Sequence, residues 1–236
     1  MTLTEHSPGL IVNIALPDLK LSNFGLIAFD MDSTLINIEC IDEIADVVGR
    51  KVEVAAITEA AMRGEIVDFK DSLRQRVKLL EGVSVASMDE VYRERLKLNL
   101  GAAELVRACK DAGLKVLLVS GGFTFFADRV QALLGIDFVR ANVLEIENGF
   151  LTGRLVDQPW GDICDGEEKR RMLIHTCSEL GINPLQAIAV GDGANDLPMM
   201  GAAGLSVAYR AKPKVREQAM VAINVGGLDR LLELMK

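Results

Sequence analysis

Several side chains that are able to do chemistry stand directly after short apolar runs. Asp30 and Asp32 follow the run LIAF, and Asp192 and Asp196 follow the run AIAV. Carboxylates that are brought together repel one another and raise each other's pKa unless a cation is bound. Oxygen ligands of this kind suit Mg²⁺, which keeps several waters and takes phosphate oxygens as further ligands. The pattern therefore favours a magnesium site.

An aspartate can also act directly on phosphorus. Its carboxylate is a competent nucleophile that forms an aspartyl-phosphate, and a second carboxylate can protonate the leaving oxygen and later activate a water. Asp30 and Asp32 are two residues apart on a chain that leaves a strand, so both can face the same side. A single Asp after a strand is more often a turn residue or a helix N-cap. The convergence of DMDST and GDGAND at strand ends favours the catalytic interpretation.

A third apolar run, LKVLLV, is followed by a hydroxyl and two glycines. These residues are Ser120, Gly121 and Gly122. Glycines let the backbone approach an anion closely, and backbone amides at such a turn can bind phosphate oxygens. Ser120 taken alone is also compatible with a simple cap, but the two glycines favour an anion site.

The elements that must position these side chains are strands and helices in alternation. The apolar runs contain few alternating polar residues, so they are typical of strands buried on both faces of a parallel sheet. Strands are predicted at 26–29, 114–120, 187–190, 204–209 and 221–224, and helices at 102–112, 123–134, 167–180 and 212–219. The predicted fold is α/β, a doubly wound, Rossmann-like parallel sheet with right-handed crossovers. Loops at the carboxyl ends of parallel strands form the ligand crevice, so the polar side chains are expected at one edge.

Residues 142–155 depart from this alternation. They alternate in places between apolar and polar residues and contain the pair Asn148-Gly149. This pair is the strongest short signal for a two-residue hairpin turn. We therefore predict an antiparallel β-hairpin beside the sheet.

A longer departure lies between the first two predicted strands. Residues 37–100 have several helical patterns and no convincing strand, and Ser87 to Glu90 matches a capping box before a helix. These 64 residues are far more than a crossover needs. We predict that they form a helical cap subdomain inserted into a catalytic core, which consists of residues 1–36 and 101–236.

The composition excludes several classes of partner. The chain has 236 residues, with 26 Lys and Arg against 34 Asp and Glu, and a formal net charge of −8. Nucleic acids and anionic membranes require a basic face, so neither is expected as a partner. Eight Phe, two Tyr and one Trp are scattered along the chain and give no aromatic ladder on which bases could stack. A small-molecule substrate is favoured.

The cysteines and the N-terminal residues bear on the location of the protein. Cys40, Cys109, Cys164 and Cys177 occur singly, and with only two histidines a Cys/His zinc site is not expected. The apolar run at 9–16 follows no basic region and is followed directly by Pro-Asp, unlike a signal peptide or a membrane span. We expect reduced thiols in a cytoplasmic protein.

Four motifs resemble those of the haloacid dehalogenase-like phosphohydrolases: FDMDSTL, VSGGF, a lysine at position 169 and GDGANDLPM. The stretches DMDSTLINIECIDEIADVVG and DFKDSLRQRVKLLEG are similar to the members that hydrolyse phosphoserine, and the resemblance runs from about Phe24 to the C-terminus. It implies a Mg²⁺-dependent phosphomonoesterase that converts O-phospho-L-serine to L-serine and phosphate through an aspartyl-phosphate. This reaction is the last step of serine biosynthesis.

The resemblance also implies a role for each matching residue. Asp30 corresponds to the nucleophile, Asp32 to the proton donor and base, and Lys169 to the cation that pairs nucleophile and phosphate. The implied metal ligands are Asp30, the main-chain carbonyl of Asp32, and Asp192, with Asp196 as a supporting carboxylate behind them. The implied substrate contacts are Glu39, Met62, Phe69, Arg76, Ser120, Gly121, Lys169 and Asn195.

The helical segment gives an independent argument for an amino-acid phosphate. Phe69 and Arg76 are seven residues apart, which is two helical turns, so they share one stripe of a helix. An arginine presents a bidentate fork for a carboxylate, and Glu39 presents a charge for an ammonium group. The alternative is that Phe69 is a packing residue and that Arg76 lies at the edge of a solvated face. A solvated face is likewise the alternative for Lys169, which lies in a run of three basic residues.

Two other functions use the same phosphorylated aspartate. A phosphotransferase of this fold passes the phosphoryl group to an alcohol such as homoserine, and the sequence scarcely separates it from a hydrolase. A signalling receiver module also phosphorylates an Asp after a parallel strand, but Asp32 and the 64-residue insert argue against it.

About 23 residues precede the resembling segment, and because a domain needs more residues than this, we expect no regulatory domain in that stretch. An extra edge strand and a tail both fit residues 1–22, and a homodimer is compatible with the sequence.

Overall fold

One sheet of nine strands runs through the residues that the structure, a computed structural model, describes: 4–13, 19–62, 65–66 and 68–235. The strands are β1 (Thr4–Ser7), β2 (Leu10–Val12), β3 (Leu26–Phe29), β4 (Lys115–Phe123), β5 (Phe138–Glu147), β6 (Phe150–Val156), β7 (Ala187–Gly191), β8 (Leu205–Tyr209) and β9 (Val221–Ile223). Their order is β1-β2-β9-β8-β7-β3-β4-β5-β6. The central pairs β9-β8, β8-β7, β7-β3 and β3-β4 are parallel, as the apolar runs predicted.

Successive side chains of a strand point to opposite sides of the sheet. In the central strands, the side chains on both sides are buried. In β3, Ile27 and Phe29 pack into one apolar cluster, whereas Leu26 and Ala28 pack into another. Strand β4 shows the same alternation. Both faces must therefore be covered, and this is why the sequence of these strands is apolar without interruption.

Helices cover the two faces of the sheet and form the segment between β3 and β4. They are α1 (Cys40–Val47), α2 (Lys51–Met62), α3 (Phe69–Lys78), α4 (Val85–Glu90), α5 (Ala102–Asp111), α6 (Thr124–Leu134), α7 (Gly166–Glu179), α8 (Leu197–Ala202) and α9 (Pro213–Gln218). Helices α5 and α6 pack on the face of Ile27, and α7, α8 and α9 pack on the face of Leu26. The doubly wound α/β prediction is confirmed, and the four helices predicted around the sheet are present with no end shifted by more than one residue.

Strand β5 begins earlier than predicted. From Phe138 to Asn142 it pairs parallel with β4, and from Val143 onward it forms the predicted antiparallel hairpin with β6. The hairpin turn is Asn148-Gly149, and both residues have positive φ angles, 52° and 82°. A two-residue turn of this kind requires such angles. The parallel part was missed because its segment, FVRAN, contains polar residues where an apolar run was sought.

Helices α1 to α4 lie between β3 and α5. The predicted capping box at Ser87 was wrong: the N-cap of α4 is Ser84, whose Oγ accepts a hydrogen bond from the Ser87 amide at 3.1 Å. Ser84 has the extended backbone of an N-cap, with φ −77° and ψ 150°, and Ser87 therefore lies inside the first turn of α4.

The hairpin supports this helical segment through main-chain hydrogen bonds. The Gly82 amide donates to the carbonyl of Leu151 at 2.8 Å, and the Leu151 amide donates to the carbonyl of Val83 at 2.8 Å. The Val85 amide donates to the carbonyl of Gly149 at 2.9 Å. The turn between α3 and α4 is thus fixed to the tip and outer strand of the hairpin.

The N-terminal strands extend the sheet at one edge. Strand β1 pairs antiparallel with β2, and β2 pairs antiparallel with β9. Of the two alternatives for residues 1–22, the edge strand is therefore correct for the described residues. Among those same residues, none of the helices combines the length and the apolar character that a bilayer crossing requires.

Candidate active site

The carboxyl ends of β3, β4, β7 and β8 meet beneath helices α1 to α3 and enclose a cavity of about 620 Å³. This position follows from the sheet order, because the four strands are neighbours and parallel. The cavity is lined by residues from the strand ends and from the helices: Asp30, Asp32, Ser33, Glu39, Ile41, Asp42, Thr58, Ala61, Ile66, Phe69, Ser72, Leu73, Arg76, Ser120, Gly121, Gly122, Phe123, Asp192, Gly193, Ala194, Asn195 and Lys212.

The loop after β3 turns tightly so that Asp30 and Asp32 both face this cavity. The Asp30 amide donates to the carbonyl of Val190 at 3.0 Å, which continues the parallel pairing with β7 by one residue. Ser33 adopts a left-handed backbone with a φ of 58°. The side-chain amide of Asn99 donates to the carbonyl of Thr34 at 2.8 Å and supports the loop from the outside.

Lys169 lies behind the cavity floor, between two carboxylates. Its Nζ is 2.5 Å from Oδ1 of Asp30 and 2.6 Å from Oδ1 of Asp196, and its side chain is fully buried. Burial lowers the pKa of Lys169, but the charges of Asp196 and Asp30 outweigh it and raise the pKa above the ordinary value. The lysine is therefore a cation at neutral pH. The solvated-face alternative fails for Lys169, whereas Arg170 pairs with Glu167 at the surface.

Asp196 anchors the loop after β7. Its Oδ2 accepts hydrogen bonds from the amides of Asp192 at 3.1 Å and Gly193 at 3.0 Å, while Oδ1 is bound by Lys169. A Cβ atom on Gly191 would lie 2.4 Å from Oδ2 of Asp196, so only glycine permits this approach. Both carboxylate oxygens of Asp196 are thus engaged by the protein itself.

The carboxylates of Asp30, Asp192 and Asp196 form a compact group that suits a metal ion. One oxygen of each lies within 4.8 Å of the others. Burial, and then repulsion by Asp196 and Glu39, raises the pKa of Asp192 to about 7. Burial likewise raises the pKa of Asp30, against the opposing effect of Lys169. Lys169 and Lys212 lower the pKa of Asp192 but do not outweigh its burial and its acidic neighbours, and the hard oxygen donors fit a hard divalent cation.

Asp32 is held by Cys40, at the start of α1. The Cys40 thiol lies 3.1 Å from Oδ1 of Asp32, and the Cys40 amide donates to Oδ2 at 3.3 Å. Burial, and then repulsion by Glu39, raises the pKa of Asp32 to about 7. A carboxyl group with a pKa near neutrality is able both to donate and to accept a proton.

The loop after β4 places Ser120 and two glycines at the cavity floor. The Gly122 amide donates to Oγ of Ser120 at 2.9 Å. A Cβ atom on Gly122 would lie 3.1 Å from Oδ2 of Asp32, and one on Gly121 would lie 3.1 Å from the ring of Phe69. A side chain at either position would therefore crowd the acid or the Phe69 ring, and glycine lets the backbone pass close to both.

On the helical side of the cavity, the predicted residues Glu39, Phe69 and Arg76 are brought together. Glu39 accepts a hydrogen bond from Oγ of Ser33 at 2.6 Å, and Nε of Arg76 contacts the carbonyl of Ser72 at 3.4 Å. A carboxylate and a guanidinium therefore line one cavity whose floor contains Asp30. Asn195 also lines it, whereas the side chain of Met62, the last residue of α2, lies outside the described residues.

Some residues that line the cavity or contact its lining were not predicted from the sequence. Lys212 follows β8, so the strand-end argument used for the other loops would have found it. Cys40 and Asp42 lie within a motif that was recognised, but nothing in their types pointed to the site. Asn142 was placed in the predicted hairpin, but its contact with the Gly121 carbonyl depends on the parallel pairing of β5 with β4, which the sequence analysis missed.

Comparisons with known proteins agree with this geometry. Residues 24–204 match the family model for haloacid dehalogenase-like hydrolases. The chain is 80% identical to a phosphoserine phosphatase of Polaromonas sp. (strain JS666 / ATCC BAA-500), with 100% of both chains covered. It is 72% identical to a phosphoserine phosphatase of Albidiferax ferrireducens, over 99% of this chain and 98% of the relative.

A solved structure described as a phospho-aspartyl intermediate analogue of phosphoserine phosphatase also matches. Its TM-score is 0.82 at 38% identity, and the match covers 90% of this chain and 99% of the other. The carboxylates at the strand ends, the buried lysine and these matches lead to one conclusion: the protein belongs to the haloacid dehalogenase-like hydrolases.

Proposed function

We propose that this protein hydrolyses O-phospho-L-serine to L-serine and phosphate. The observation that carries the proposal is the lining of one cavity, which has one set of polar side chains on its floor and another on its helical side. Asp30, Asp32 and Ser120 on its floor suit a phosphoryl group, and Glu39 and Arg76 on its helical side suit an ammonium and a carboxylate. An amino-acid phosphate carries all three groups. Relatives at 80% and 72% identity bear the name of this activity.

In the proposed first step, Asp30 attacks the phosphorus and forms an aspartyl-phosphate, while the serine oxygen leaves. Asp32 donates a proton to that oxygen, so that serine departs as an alcohol. Lys169 holds Asp30 in position and offsets negative charge on the phosphoryl group. The Ser120 hydroxyl and the Gly121 amide donate hydrogen bonds to its oxygens.

In the second step, a water attacks the phosphorus of the aspartyl-phosphate. Asp32, now a carboxylate, takes a proton from that water, and the bond between phosphorus and the Asp30 oxygen breaks. Phosphate leaves and both aspartates return to their starting states. A pKa of about 7 suits Asp32 to both proton transfers.

We propose Mg²⁺ as the metal, with Asp30, Asp192 and the main-chain carbonyl of Asp32 as its ligands. Asp196 is excluded from direct ligation in this proposal because Lys169 and two backbone amides occupy its oxygens. When bound, Mg²⁺ neutralises charge on the phosphoryl oxygens. The raised pKa of Asp192 supports the need for a cation at this position.

Substrate selection is assigned to the helical side of the cavity. Arg76 pairs with the substrate carboxylate and Glu39 with its ammonium group, while Phe69 closes the cavity around the serine carbon atoms; Met62 stays a substrate contact predicted from the resemblance alone. Asn195 contacts the substrate from the loop after β7. In this proposal residues 37–100 are the cap, and residues 1–36 and 101–236 are the catalytic core.

We place the enzyme in the cytoplasm, with a small molecule as its substrate and neither nucleic acid nor membrane as a partner. The four cysteines are free and buried, which fits a reducing compartment. The net charge of −8 disfavours polyanionic partners. A second copy of the chain is the macromolecular partner that the proposal allows.

The experiment that tests the function is phosphate release from phosphoserine, phosphothreonine, phosphoethanolamine and a sugar phosphate. We expect the highest kcat/KM for phosphoserine. Formation of a new phosphoester when homoserine is added would favour the phosphotransferase alternative instead. Stable phosphorylation of Asp30 without turnover would favour a receiver module.

A further inference from the structure

Asn142 lies on β5 between two parts of the candidate active site. Its Nδ2 donates to the carbonyl oxygen of Gly121 at 2.7 Å, and its Oδ1 accepts from the amide of Cys164 at 2.8 Å. One contact needs a donor and the other an acceptor, so the orientation of the side-chain amide is fixed. The side chain is buried, at 1% exposure. It therefore connects the loop after β4 with the segment that leads into α7.

The first contact determines how Ser120 presents its hydroxyl group. The Gly121 carbonyl belongs to the same planar peptide unit as the Gly122 amide. That amide donates to Oγ of Ser120 at 2.9 Å. When Asn142 holds the carbonyl, the amide on the opposite side of the peptide is directed at Ser120. The Ser120 oxygen then acts as the acceptor, and its own proton is available for an oxygen in the cavity.

The second contact bears on Lys169. Cys164 precedes Asp165, the N-cap of α7, whose Oδ1 accepts from the Glu168 amide at 2.8 Å. Two residues before Asn142 on β5, and hence on the same face of the strand, Arg140 bonds to Oε1 of Glu168 at 2.6 Å. Strand β5 thus holds both the approach to α7 and its first turn, which contains Lys169.

We propose that Asn142 is a positioning residue that keeps Ser120 and Lys169 aligned on the two sides of the phosphoryl group. It does not touch the reacting atoms, and it acts through the Gly121–Gly122 peptide and the start of α7. A displacement of about 1 Å of such groups is enough to reduce a rate strongly. The inference rests on the proposed function, because it takes a phosphoryl group as the ligand of Ser120.

The test uses inorganic phosphate as an inhibitor of phosphoserine hydrolysis. Asn142→Asp is isosteric, keeps the acceptor for Cys164 and loses the donor to Gly121. We expect the inhibition constant of phosphate to rise about tenfold in this variant, which corresponds to about 1.4 kcal/mol, and kcat/KM to fall at least as much. Asn142→Ala loses both contacts and is expected to show a larger effect.

Asn13→Ala is the matched control. Asn13 is also a buried amide, at 5% exposure, and its Nδ2 donates to the carbonyls of Arg216 at 2.8 Å and Ala219 at 2.6 Å. We expect this substitution to lower Tm and to leave the inhibition constant of phosphate unchanged. A purely structural role for Asn142 predicts the same outcome at both sites. Wild-type phosphate inhibition in the Asn142 variants, whatever their Tm, would overturn the inference.

Hydrogen exchange of the unsubstituted protein provides a second test. Saturating phosphate is expected to slow exchange of the Cys164 amide together with that of the Gly122 amide, because Asn142 links the two. Exchange at Cys164 that phosphate leaves unchanged would contradict the link. A wild-type protein that neither hydrolyses phosphoserine nor binds phosphate would instead overturn the proposed function, on which the inference rests.

Discussion

The ammonium group of Lys169 lies 2.5 Å from a carboxylate oxygen of Asp30, although 139 positions separate the two residues in the chain. The same ammonium lies 2.6 Å from Asp196, so one cation is shared by two buried carboxylates. Without it, Asp30 and Asp196 would repel each other in a region that water does not screen. Lys169 therefore acts on the stability of the site as well as on the phosphoryl group.

Replacing Lys169 with Met should reduce both activity and stability. Loss of one cation at a site of charge development lowers the rate by about 10²- to 10³-fold, and loss of one partner of a buried ion pair destabilises a protein by about 3–5 kcal/mol. Steady-state kinetics and thermal unfolding measure the two effects. Arg170→Met is the control, because Arg170 pairs with Glu167 at the surface and should leave both quantities unchanged. A Lys169→Met enzyme with wild-type kcat/KM would contradict the assignment.

Replacing Asp30 with Asn should abolish turnover while the fold is retained. The change is nearly isosteric, and an amide is too weak a nucleophile to attack phosphorus. Phosphate release measures turnover, and the mass of the intact protein reports any deamidation back to Asp. Hydrolysis above background in protein that is free of deamidation would remove Asp30 from the role of nucleophile.

Replacing Asp32 with Asn should separate the two chemical steps. Phosphoserine needs a proton on its leaving oxygen, so its turnover should fall severely. An aryl phosphate such as p-nitrophenyl phosphate has a leaving group that needs no proton, and it should still phosphorylate Asp30. The base for the second step is absent, so we expect a burst of about one equivalent of nitrophenolate per enzyme, followed by slow release. Continued turnover at the wild-type rate on both substrates would show that Asp32 is not the acid and base.

Replacing Arg76 with Ala should affect substrate choice more than chemistry. A charge-assisted hydrogen bond contributes about 1.5–3 kcal/mol, so kcat/KM for phosphoserine should fall about ten- to a hundredfold or more. Phosphoethanolamine has the ammonium group but no carboxylate, so the kcat/KM for this substrate should fall little. Arg74→Ala is the control on the same helix, since Arg74 pairs with Asp71 and Asp162 away from the cavity lining. An equal fall in kcat/KM for the two substrates would show instead that Arg76 supports the structure of the cavity or binds the phosphate group.

Removal of divalent metal should abolish phosphate release, and the return of the metal should restore it. Asp30 and Asp192 both have pKa values raised by burial and by neighbouring carboxylates, so the site is expected to be electrostatically incomplete without a cation. Phosphate release after exhaustive chelation and after the return of Mg²⁺ measures the effect. Tm should rise with Mg²⁺ concentration, because a ligand that binds the folded state stabilises it. Activity that survives exhaustive chelation would contradict the metal proposal.

The loops at the strand ends were predictable from the sequence because their chemistry is local. Asp30, Ser120 and Asp192 each follow an unbroken apolar run, and the topology of a parallel sheet brings the ends of such runs together. Lys169 is different, since its burial depends on the register of α7. That register is fixed by the Asp165 N-cap and by the contacts of β5, neither of which a single helical pattern contains.

Contacts between distant segments were not predictable. Cys40 holds Asp32 through a thiol and an amide, and nothing in an ordinary apolar helix start indicates that role. Asn142 is the first residue of the predicted hairpin segment, but its parallel pairing with β4, which brings it to the Gly121 loop, had no apolar run to indicate it. The prediction of the α4 N-cap was wrong for a simpler reason. Ser84 and Ser87 are equally good capping residues, and tertiary contacts of the Ser84 region with the hairpin decided between them.

The tip of the hairpin formed by β5 and β6 has a consequence for how the chain tolerates change in length. An exposed two-residue turn such as Asn148-Gly149 is ordinarily a place where a loop accepts extra residues at little cost. Here the carbonyl of Gly149 accepts from the Val85 amide, and Leu151 bonds to the turn after α3. An insertion at the tip would therefore disturb the hydrogen bonds that hold the turn after α3. Because α3 carries Phe69 and Arg76, the insertion would alter the substrate cavity as well as the exposed turn.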